Sequence, residues 1–245
     1  MLSSGSLTIK GFLETSFMDW PGKICSVIFF PYCNFRCCYC HNAALVLEPE
    51  SLATIDVNDI LSYLSKNTRW IDGVCVTGGE PTLQESLPLL LSELHQRGFL
   101  VKLDTNGSNP EVLQSLIGQG LVDYIAMDVK AALEEESYCA ITGSVNTLAA
   151  VKKSIRLIIA SGIEHEFRCT VLPRFHQPEE IVRLARELNG AKRFRLQNFN
   201  PHQTLDPELS ASRPYDEHTL QTLQQEVNAA LAGAFLQPSS LPGTA

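Results

Sequence analysis

Three cysteines in this chain have a spacing that could hold a metal centre. Cys33, Cys37 and Cys40 are separated by three and then by two residues, within the run CNFRCCYCHN at 33–42. Thiolates at these intervals can converge on one side of a short loop, and they supply three ligands where a closed metal site uses four. The spacing therefore indicates a centre with one coordination position open to a small molecule.

Two kinds of metal centre fit this loop. An iron-sulfur cluster held by three cysteines keeps one iron free for a ligand, which is typical of a reaction centre. Zinc would need a fourth ligand, which His41 or Cys38 could supply. A non-catalytic zinc or electron-transfer protein is therefore an alternative function. Structural zinc sites usually have two ligand pairs, and the sequence has no second pair of closely spaced cysteines. We therefore favour the cluster.

Further polar groups follow several β-rich runs of the sequence. They are TGGEPT at 77–82, DTNG at 104–107 and DVK at 128–130, while Arg168 lies within a later run. Taken singly, each of these groups could have a purely structural role. The glycines could form a tight turn, the acids could cap helices or lie in solvated loops, and Lys130 could be a surface lysine. Together, they suit a zwitterionic ligand with ribose hydroxyls, because glycines admit a ligand to the backbone and acids accept from hydroxyls.

Alternating β-rich and helical patterns predict an α/β fold. The predicted strands are Ser26–Phe30, Gly73–Thr77, Leu100–Leu103, Tyr124–Asp128, Glu166–Val171 and Phe194–Gln197. Apolar residues recur with helical spacing at Val57, Ile60, Leu61 and Leu64, at Leu87, Leu90, Leu91 and Leu94, and at Ile181, Leu184, Ala185 and Leu188. Repeated βα units curl a parallel sheet, so we expect a partial (βα)6 TIM-like barrel whose mouth gathers the polar groups.

The length and composition of the chain fit one domain. It has 245 residues, of which 44% are hydrophobic. We expect a single domain over residues 1–235, with a core at about 20–200 and a C-terminal extension at about 201–235. A last helix is expected around Leu220–Leu231, and residues 236–245 are expected to form a disordered tail.

The charge and hydropathy of the sequence indicate which kinds of partner the protein binds and where in the cell it lies. The formal net charge is -8 without any run of Lys or Arg, which argues against nucleic-acid and anionic-membrane surfaces. The sequence has no signal-peptide pattern and no apolar run of membrane-spanning length, so we expect a cytoplasmic protein. Cysteines stay reduced there, and the isolated Cys25, Cys75, Cys139 and Cys169 are expected to be buried small hydrophobes.

The motifs resemble those of a known family. The cysteine loop is similar to the cluster-binding motif of radical S-adenosylmethionine (radical SAM) enzymes, and GGEP at 78–81 to the glycine motif of that superfamily. Stretches similar to pyruvate formate-lyase activating enzyme are 19–23, 40–42, 103–107 and 127–130. The closest resemblance is to the longer type of anaerobic ribonucleoside-triphosphate reductase activating protein, through 11–42, 196–199 and 204–207. This resemblance spans about 11–207 and indicates a glycyl-radical activating enzyme.

The resemblance also implies roles for individual residues. Cys33, Cys37 and Cys40 would hold a 4Fe-4S cluster whose unique iron binds SAM. The SAM contacts would be Tyr39 at the adenine, Gly78, Gly79 and Glu80 at the methionine ammonium, Asp104 at the ribose and Lys130 at the methionine carboxylate. Asp104, Thr105 and Asp128 would surround a monovalent cation. Two positions depart from the family pattern: Cys38 is an additional cysteine, and either Asn200 or His202 takes the place of a histidine near the last strand.

The function implied is the activation of another enzyme. A radical SAM activase would cleave SAM reductively to a 5′-deoxyadenosyl radical and generate a glycyl radical on a partner enzyme. The resemblance favours anaerobic ribonucleoside-triphosphate reductase as this partner. Its electron donor would be of the flavodoxin or ferredoxin type. Two alternatives within the superfamily stay open. They are an activase of another glycyl-radical enzyme such as pyruvate formate-lyase, and a small-molecule enzyme such as 7-carboxy-7-deazaguanine synthase.

Overall fold

The fold is built on a sheet whose strands follow one another in sequence order. The structure, a computed structural model, describes residues 7–202 and 204–234. Within these residues the sheet has seven strands in the order β1 to β7. They are Gly11–Ser16, Cys25–Phe30, Gly73–Gly78, Leu100–Thr105, Tyr124–Asp128, Glu164–Val171 and Phe194–Asn198. Strands β2 to β7 run parallel, and β1 pairs antiparallel with β2.

Helices connect the parallel strands and cover one face of the sheet. In the described part of the chain, the helices α1 to α8 are Ala43–Leu47, Val57–Lys66, Leu87–Gln96, Pro110–Gly118, Glu135–Thr142, Leu148–Ser161, Pro178–Glu187 and Glu217–Ala234. Short 3₁₀ turns lie at Pro49–Ser51, Pro81–Leu83 and Pro207–Ala211. The apolar residues that predicted α2, α3 and α7 are all buried, which explains why these helices pack where they do.

Each strand divides its side chains between two environments. In β4, Val101 and Leu103 join the large core beneath the helices, whereas Lys102 and Asp104 alternate with them and face the inside of the curved sheet. A smaller apolar cluster that includes Trp20, Cys25 and Cys75 fills the lower part of that inside. The upper part of the inner face is therefore left to polar side chains.

The predicted α/β class is confirmed, and all six predicted strands are present with bounds shifted by no more than two residues. The prediction missed β1, because an antiparallel strand at the sheet edge has no helical crossover to reveal it. Among the described residues β1 and β7 do not pair with each other, so the sheet is open between them. Such an opening agrees with a barrel that is partial.

The residues that the sequence suggests as helix caps act as caps only in part. Gly98 follows α3 with φ +85°, and Gly162 ends α6 with φ +72°, as expected for glycines in the left-handed region. Asn109 stands before α4, but its side-chain amide donates to Oγ1 of Thr82 at 2.9 Å instead of capping the helix. This residue therefore links the loop after β3 to the loop after β4.

At β7, the last strand of the sheet, a side chain from α8 hydrogen-bonds to the backbone groups of the free edge. Oε1 of Gln224 accepts from the backbone N–H of Leu196 at 2.7 Å, and Nε2 donates to the carbonyl of Phe194 at 2.9 Å. Gln224 thus occupies the groups that another strand would use. The predicted last helix is present as α8, while the predicted tail at 236–245 lies outside the described residues.

No helix in residues 7–202 and 204–234 is long and apolar enough to cross a bilayer. The isolated cysteines Cys25, Cys75 and Cys169 are buried as expected, and Cys139 is half-buried. The single-domain division remains a prediction.

Candidate active site

A cavity of about 360 Å³ opens at the carboxyl ends of the parallel strands. Every parallel strand or the loop after it contributes to its lining. The contributing residues include Cys33, Cys37, Tyr39, Cys40, Thr77, Gly78, Gly79, Asp104, Thr105, Asp128, Lys130, Arg168, Thr170 and Gln197. The structure thus brings the cysteine loop, the glycine pair and the charged groups into one site, as parallel strands predict.

Backbone hydrogen bonds hold the cysteine loop in place. The N–H of Arg36 donates to the carbonyl of Thr142 at 2.7 Å, and the N–H of Cys38 donates to the carbonyl of Ile141 at 3.1 Å. On the other side, the N–H of Asp206 donates to the carbonyl of Cys38 at 2.8 Å. α5 and the segment before the last 3₁₀ turn thus fix the backbone of the loop whose three spaced cysteines line the cavity.

The thiols of the three predicted ligands line the cavity, and that of Cys38 does not. Burial raises the pKa of Cys37 to about 12 and also raises the pKa of Cys33, although the Lys130 ammonium opposes both shifts. A metal centre would have to displace these protons, since thiolates are the ligands. Among the described residues, no three His, Cys, Asp or Glu side chains form a group that could hold a single metal ion. A four-iron cluster is larger than one ion and takes more widely spaced thiolates.

The glycine pair lies directly against the start of the cysteine loop. A Cβ on Gly78 would lie 2.2 Å from the carbonyl oxygen of Phe30, and one on Gly79 would lie 1.8 Å from that of Tyr32. Gly78 also has φ +125°, a conformation that side chains disfavour. The glycines are therefore required by backbone packing as well as by access to the cavity.

Glu80 differs from the expectation of a direct ligand contact. Its side chain is fully buried behind the glycines and does not line the cavity. Oε1 accepts from the hydroxyls of Thr82 at 2.5 Å and Thr105 at 2.8 Å, and Oε2 accepts from the N–H of Asn106 at 2.7 Å. Burial raises the pKa of Glu80 despite these hydrogen bonds. Glu80 thus joins the loops after β3 and β4.

Five charged residues form one chain of ion pairs across the cavity floor. Lys102 pairs with Oδ1 of Asp104, and Nη1 of Arg168 lies 3.0 Å from Oδ2 of the same carboxylate. Nε of Arg168 lies 2.8 Å from Oδ1 of Asp128, whose Oδ2 lies 2.8 Å from Nζ of Lys130. Each carboxylate oxygen therefore has a cationic partner.

This arrangement keeps all five groups charged. Burial alone would raise the pKa of Asp128, but Arg168 and Lys130 outweigh it and hold that pKa well below its usual range. Arg168 and Lys102 likewise lower the pKa of Asp104 against its burial. Burial would lower the pKa of Lys130, but the Asp128 carboxylate raises it. Three cations and two anions leave one positive charge, which suits a ligand carboxylate.

Sequence reasoning overlooked Lys102. A signal was present, because Lys102 stands two residues before Asp104 in the same strand and must share its face. A lysine inside an otherwise apolar strand needs an anionic partner, and Asp104 is the nearest one along the chain.

The hydroxyl of Tyr39 is buried beside the cavity without a hydrogen-bond partner in the described residues. The side chain is 4% exposed and lines the cavity, and within the described residues its hydroxyl has no hydrogen-bond partner. Burial raises the pKa of Tyr39 well above its usual value, so the hydroxyl is a donor. Buried unsatisfied hydroxyls are rare in proteins. Tyr39 therefore contributes its ring to the cavity wall while its hydroxyl is shielded from solvent.

Neither candidate for the family histidine lines the cavity. His41 does line it, and its Nε2 accepts from the N–H of Asn200 at 3.3 Å. The N–H of His202 donates to Oδ1 of Asn200 at 3.0 Å. Burial lowers the pKa of His41, which favours the neutral ring that accepts this hydrogen bond. The structure therefore connects Asn200 to the cavity through His41.

Comparison with known proteins identifies the family to which the chain belongs. Residues 27–188, more than half of the chain, match the radical SAM superfamily. The chain belongs to the radical SAM superfamily. The predicted cofactors, a 4Fe-4S cluster and SAM, are those of this superfamily and are confirmed at that level. The cavity fits them, because it offers three thiols and a glycine cradle that a Cβ would fill.

Individual relatives narrow the kind of radical SAM enzyme. The chain is 32% identical over 221 residues to a putative glycyl-radical enzyme activating enzyme of Methanocaldococcus jannaschii, covering 88% of this chain and 89% of the relative. It is 34% identical over 140 residues to the pyruvate formate-lyase-activating enzyme of Staphylococcus aureus, covering 53% of this chain and 55% of the relative.

A solved structure supports the fold. The crystal structure of Streptococcus suis SuiB bound to precursor peptide SuiA aligns with a TM-score of 0.63 at 17% identity, covering 84% of this chain and 46% of that one. At this identity the likeness applies to the fold alone. The homologues support a radical SAM enzyme of the glycyl-radical activating kind.

Proposed function

We propose that this radical SAM enzyme generates a glycyl radical on anaerobic ribonucleoside-triphosphate reductase. The activating role is supported by similarity to a putative activating enzyme across 88% of the chain. The choice of partner rests on the sequence resemblance of 11–42, 196–199 and 204–207. Pyruvate formate-lyase as the partner has equal support from the Staphylococcus aureus relative.

The observation that carries the proposal is the meeting of three cysteines, the glycine pair and the ion-pair chain in one cavity. We assign Cys33, Cys37 and Cys40 as the cluster ligands. When bound, the reduced cluster supplies the electron that cleaves SAM to methionine and a 5′-deoxyadenosyl radical, which takes a hydrogen atom from a glycine of the partner.

The protein residues would bind and orient the SAM molecule. The net positive charge of the ion-pair chain would attract the methionine carboxylate, with Lys130 as its contact. The ionised Asp104 would accept from ribose hydroxyls, and Gly78 and Gly79 would contact the ammonium through the backbone. The carbonyl of Gly78 already accepts from Nδ2 of Asn42 at 2.9 Å. Tyr39, which lines the cavity, would lie by the adenine. Positioning of this kind is the main contribution of a protein to cofactor chemistry.

We also propose where the partners act. The opening of the sheet between β1 and β7 would admit a polypeptide loop of the partner. A flavodoxin- or ferredoxin-type protein would deliver the electron. We infer a cytoplasmic location, because the cysteine ligands must stay reduced and all eight cysteines are free.

Anaerobic reconstitution with iron, sulfide and a strong reductant tests the proposal. We expect a brown protein that releases 5′-deoxyadenosine from SAM and produces a glycyl-radical signal, by electron paramagnetic resonance, on purified anaerobic reductase. The same signal on pyruvate formate-lyase alone would reassign the partner. Cleavage coupled only to a small substrate would indicate the carboxy-deazaguanine class, and a colourless zinc-containing protein would reject radical chemistry.

A further inference from the structure

A second cavity, of about 620 Å³, lies at the open edge of the sheet. Residues from β6, β7 and α8 line it, and none of the cysteines does. The lining includes Glu166, Lys192, Arg193, Arg195, Gln224 and Asn228. No step of the proposed SAM chemistry uses these residues.

The strand register joins this edge cavity to the cysteine-lined cavity. Arg195 of β7 pairs with Arg168 of β6, and Gln197 pairs with Thr170, so these four side chains share the inner face of the sheet. Gln197 lines the cysteine-lined cavity, and Arg195 lines the edge cavity. Two residues of a strand span only about 7 Å, so the two cavities adjoin along β7.

The edge cavity carries excess positive charge in a chain whose formal net charge is -8. Lys192 is neutralised by its ion pair with Glu164. The side chains of Arg193 and Arg195 are exposed, and neither forms an ion pair within the described residues. Two unpaired guanidinium groups outnumber the one carboxylate of Glu166, so the cavity attracts anions.

Glu166 adds a second requirement on the occupant. Its side chain is 3% exposed, and in the part of the chain that the structure describes it has neither an ion pair nor a hydrogen bond. Its carboxylate oxygens are not among the buried atoms of the described residues that lack a hydrogen-bond partner, so they contact water in the cavity. An occupant that displaces this water must bring an N–H group to replace its hydrogen bonds. The occupant should therefore combine an anionic group with a nearby donor.

We propose that the edge cavity binds an acidic segment of the partner polypeptide. A side-chain carboxylate would bind Arg195 and Arg193, while the adjacent backbone N–H donates to Glu166. The inference rests on the proposed function for the existence of a polypeptide partner. Since the cavities adjoin, the acidic residue would lie within about five residues of the radical-bearing glycine in an extended segment.

Other modes of contact fit less well. Gln224 already occupies the edge N–H and carbonyl groups of Leu196 and Phe194, so a partner strand could not extend the sheet there. A phosphate chain would bring only acceptors to Glu166 and would be repelled by it. Side-chain recognition of a carboxylate by two arginines meets both requirements.

Two short fluorescent peptides test the proposal. Both have a central glycine, and they differ only in carrying two aspartates or two lysines on one side of it. With anaerobically reconstituted protein and no reductant, we expect the aspartate peptide to bind about tenfold more tightly at low salt, measured by fluorescence anisotropy. Binding should weaken as salt rises. The Arg193→Gln/Arg195→Gln double variant should lose the preference but keep partner-free SAM cleavage.

Lys153→Gln is the matched control, because Lys153 is exposed on α6 and forms a peripheral ion pair with Glu111. It should bind both peptides as the wild type does. Equal affinity for the two peptides, a preference for lysine, or an unchanged preference in the double variant would overturn the inference. So would stronger displacement of the aspartate peptide by tripolyphosphate than by unlabelled peptide. Failure of SAM cleavage in the wild type would instead overturn the proposed function, because peptide binding needs no reductant.

Discussion

The ammonium group of Lys102 pairs with the carboxylate of Asp104 beneath the cysteine-lined cavity. The Lys102 side chain is fully buried, and its Nζ also lies 3.6 Å from Sγ of Cys75. Burial would lower the pKa of Lys102, but the Asp104 carboxylate raises it above the usual value. The pair therefore fixes Asp104 as an ionised, oriented group from below, while Arg168 holds it from the side.

Replacing Lys102 by Met should weaken both the fold and SAM binding. Removing one member of a buried pair leaves a buried charge, at a cost of about 3 kcal/mol. Arg168 would still pair with Asp104, so we expect a lower melting temperature and a roughly tenfold higher KM for SAM, with a smaller change in kcat. Lys153→Met, at an exposed pair, should alter neither quantity. An unchanged KM in a folded Lys102→Met variant would contradict this role.

The cluster assignment predicts opposite results at two adjacent cysteines. Cys37 lines the cavity and Cys38 does not. Cys37→Ala should abolish both the brown colour and SAM cleavage, because a ligand is lost. Cys38→Ala should leave both largely intact. Iron and sulfide content, the visible spectrum and 5′-deoxyadenosine release measure the outcomes, and the reverse pattern would mean that the ligands are misassigned.

A methyl group at Gly79 should disrupt the site. Its Cβ would lie 1.8 Å from the carbonyl oxygen of Tyr32, so the glycine loop and the cysteine loop would have to separate. Gly79→Ala should lose SAM cleavage and unfold more easily, by about 2 kcal/mol or more. Gly233→Ala is the control, since nothing lies within 4 Å of a Cβ at this position near the end of α8, and it should change neither SAM cleavage nor stability by more than about 0.5 kcal/mol. Thermal unfolding and the SAM cleavage assay compare the two variants.

The buried ring of His176 should make stability depend on pH. Nδ1 accepts from the N–H of Leu172 at 3.1 Å, and Nε2 donates to the carbonyl of Lys130 at 2.8 Å, which requires a neutral ring. Burial lowers the pKa of His176. The unfolded chain therefore takes up a proton below about pH 6.5 that the folded protein excludes. The stabilisation is complete above that pH and is lost as the pH falls.

Urea unfolding between neutral and mildly acidic pH measures this effect. The free energy of unfolding of the wild type should fall by up to about 1.4 kcal/mol per pH unit for this one proton. His176→Gln should show a shallower decline. His165, whose pKa burial also lowers, contributes in the same direction in both proteins and cancels in the comparison. Identical pH slopes would refute the assignment.

The sequence predicted the elements of the site better than the contacts among them. The spacing of Cys33, Cys37 and Cys40 and the polar groups at strand ends follow from local pattern and parallel topology. The position of Glu80 behind the glycines could not be predicted, because it depends on Thr105 at the end of the neighbouring strand and on Asn106 directly after it. Partners across strands depend on register and on side-chain packing, which one sequence does not specify.

Arg168 lies where the family resemblance implies a monovalent cation. Its guanidinium group lies between Asp104 and Asp128, the two carboxylates expected to surround that cation. The cation remains a prediction. Arg168→Met would remove this charge and leave two partly buried carboxylates facing each other. Potassium should then become more important for their stability.

We therefore expect SAM cleavage by Arg168→Met to fall at least about tenfold without potassium and to recover in part when potassium is added. Arg174→Met is the control. Arg174 is exposed, and its ion pair with Glu208 is long at 4.0 Å and therefore weak, so this variant should behave as the wild type does. Potassium titrations of 5′-deoxyadenosine release measure the effect. An equal response of wild type and Arg168→Met to potassium would mean that the guanidinium group and the cation do not share the position between these carboxylates.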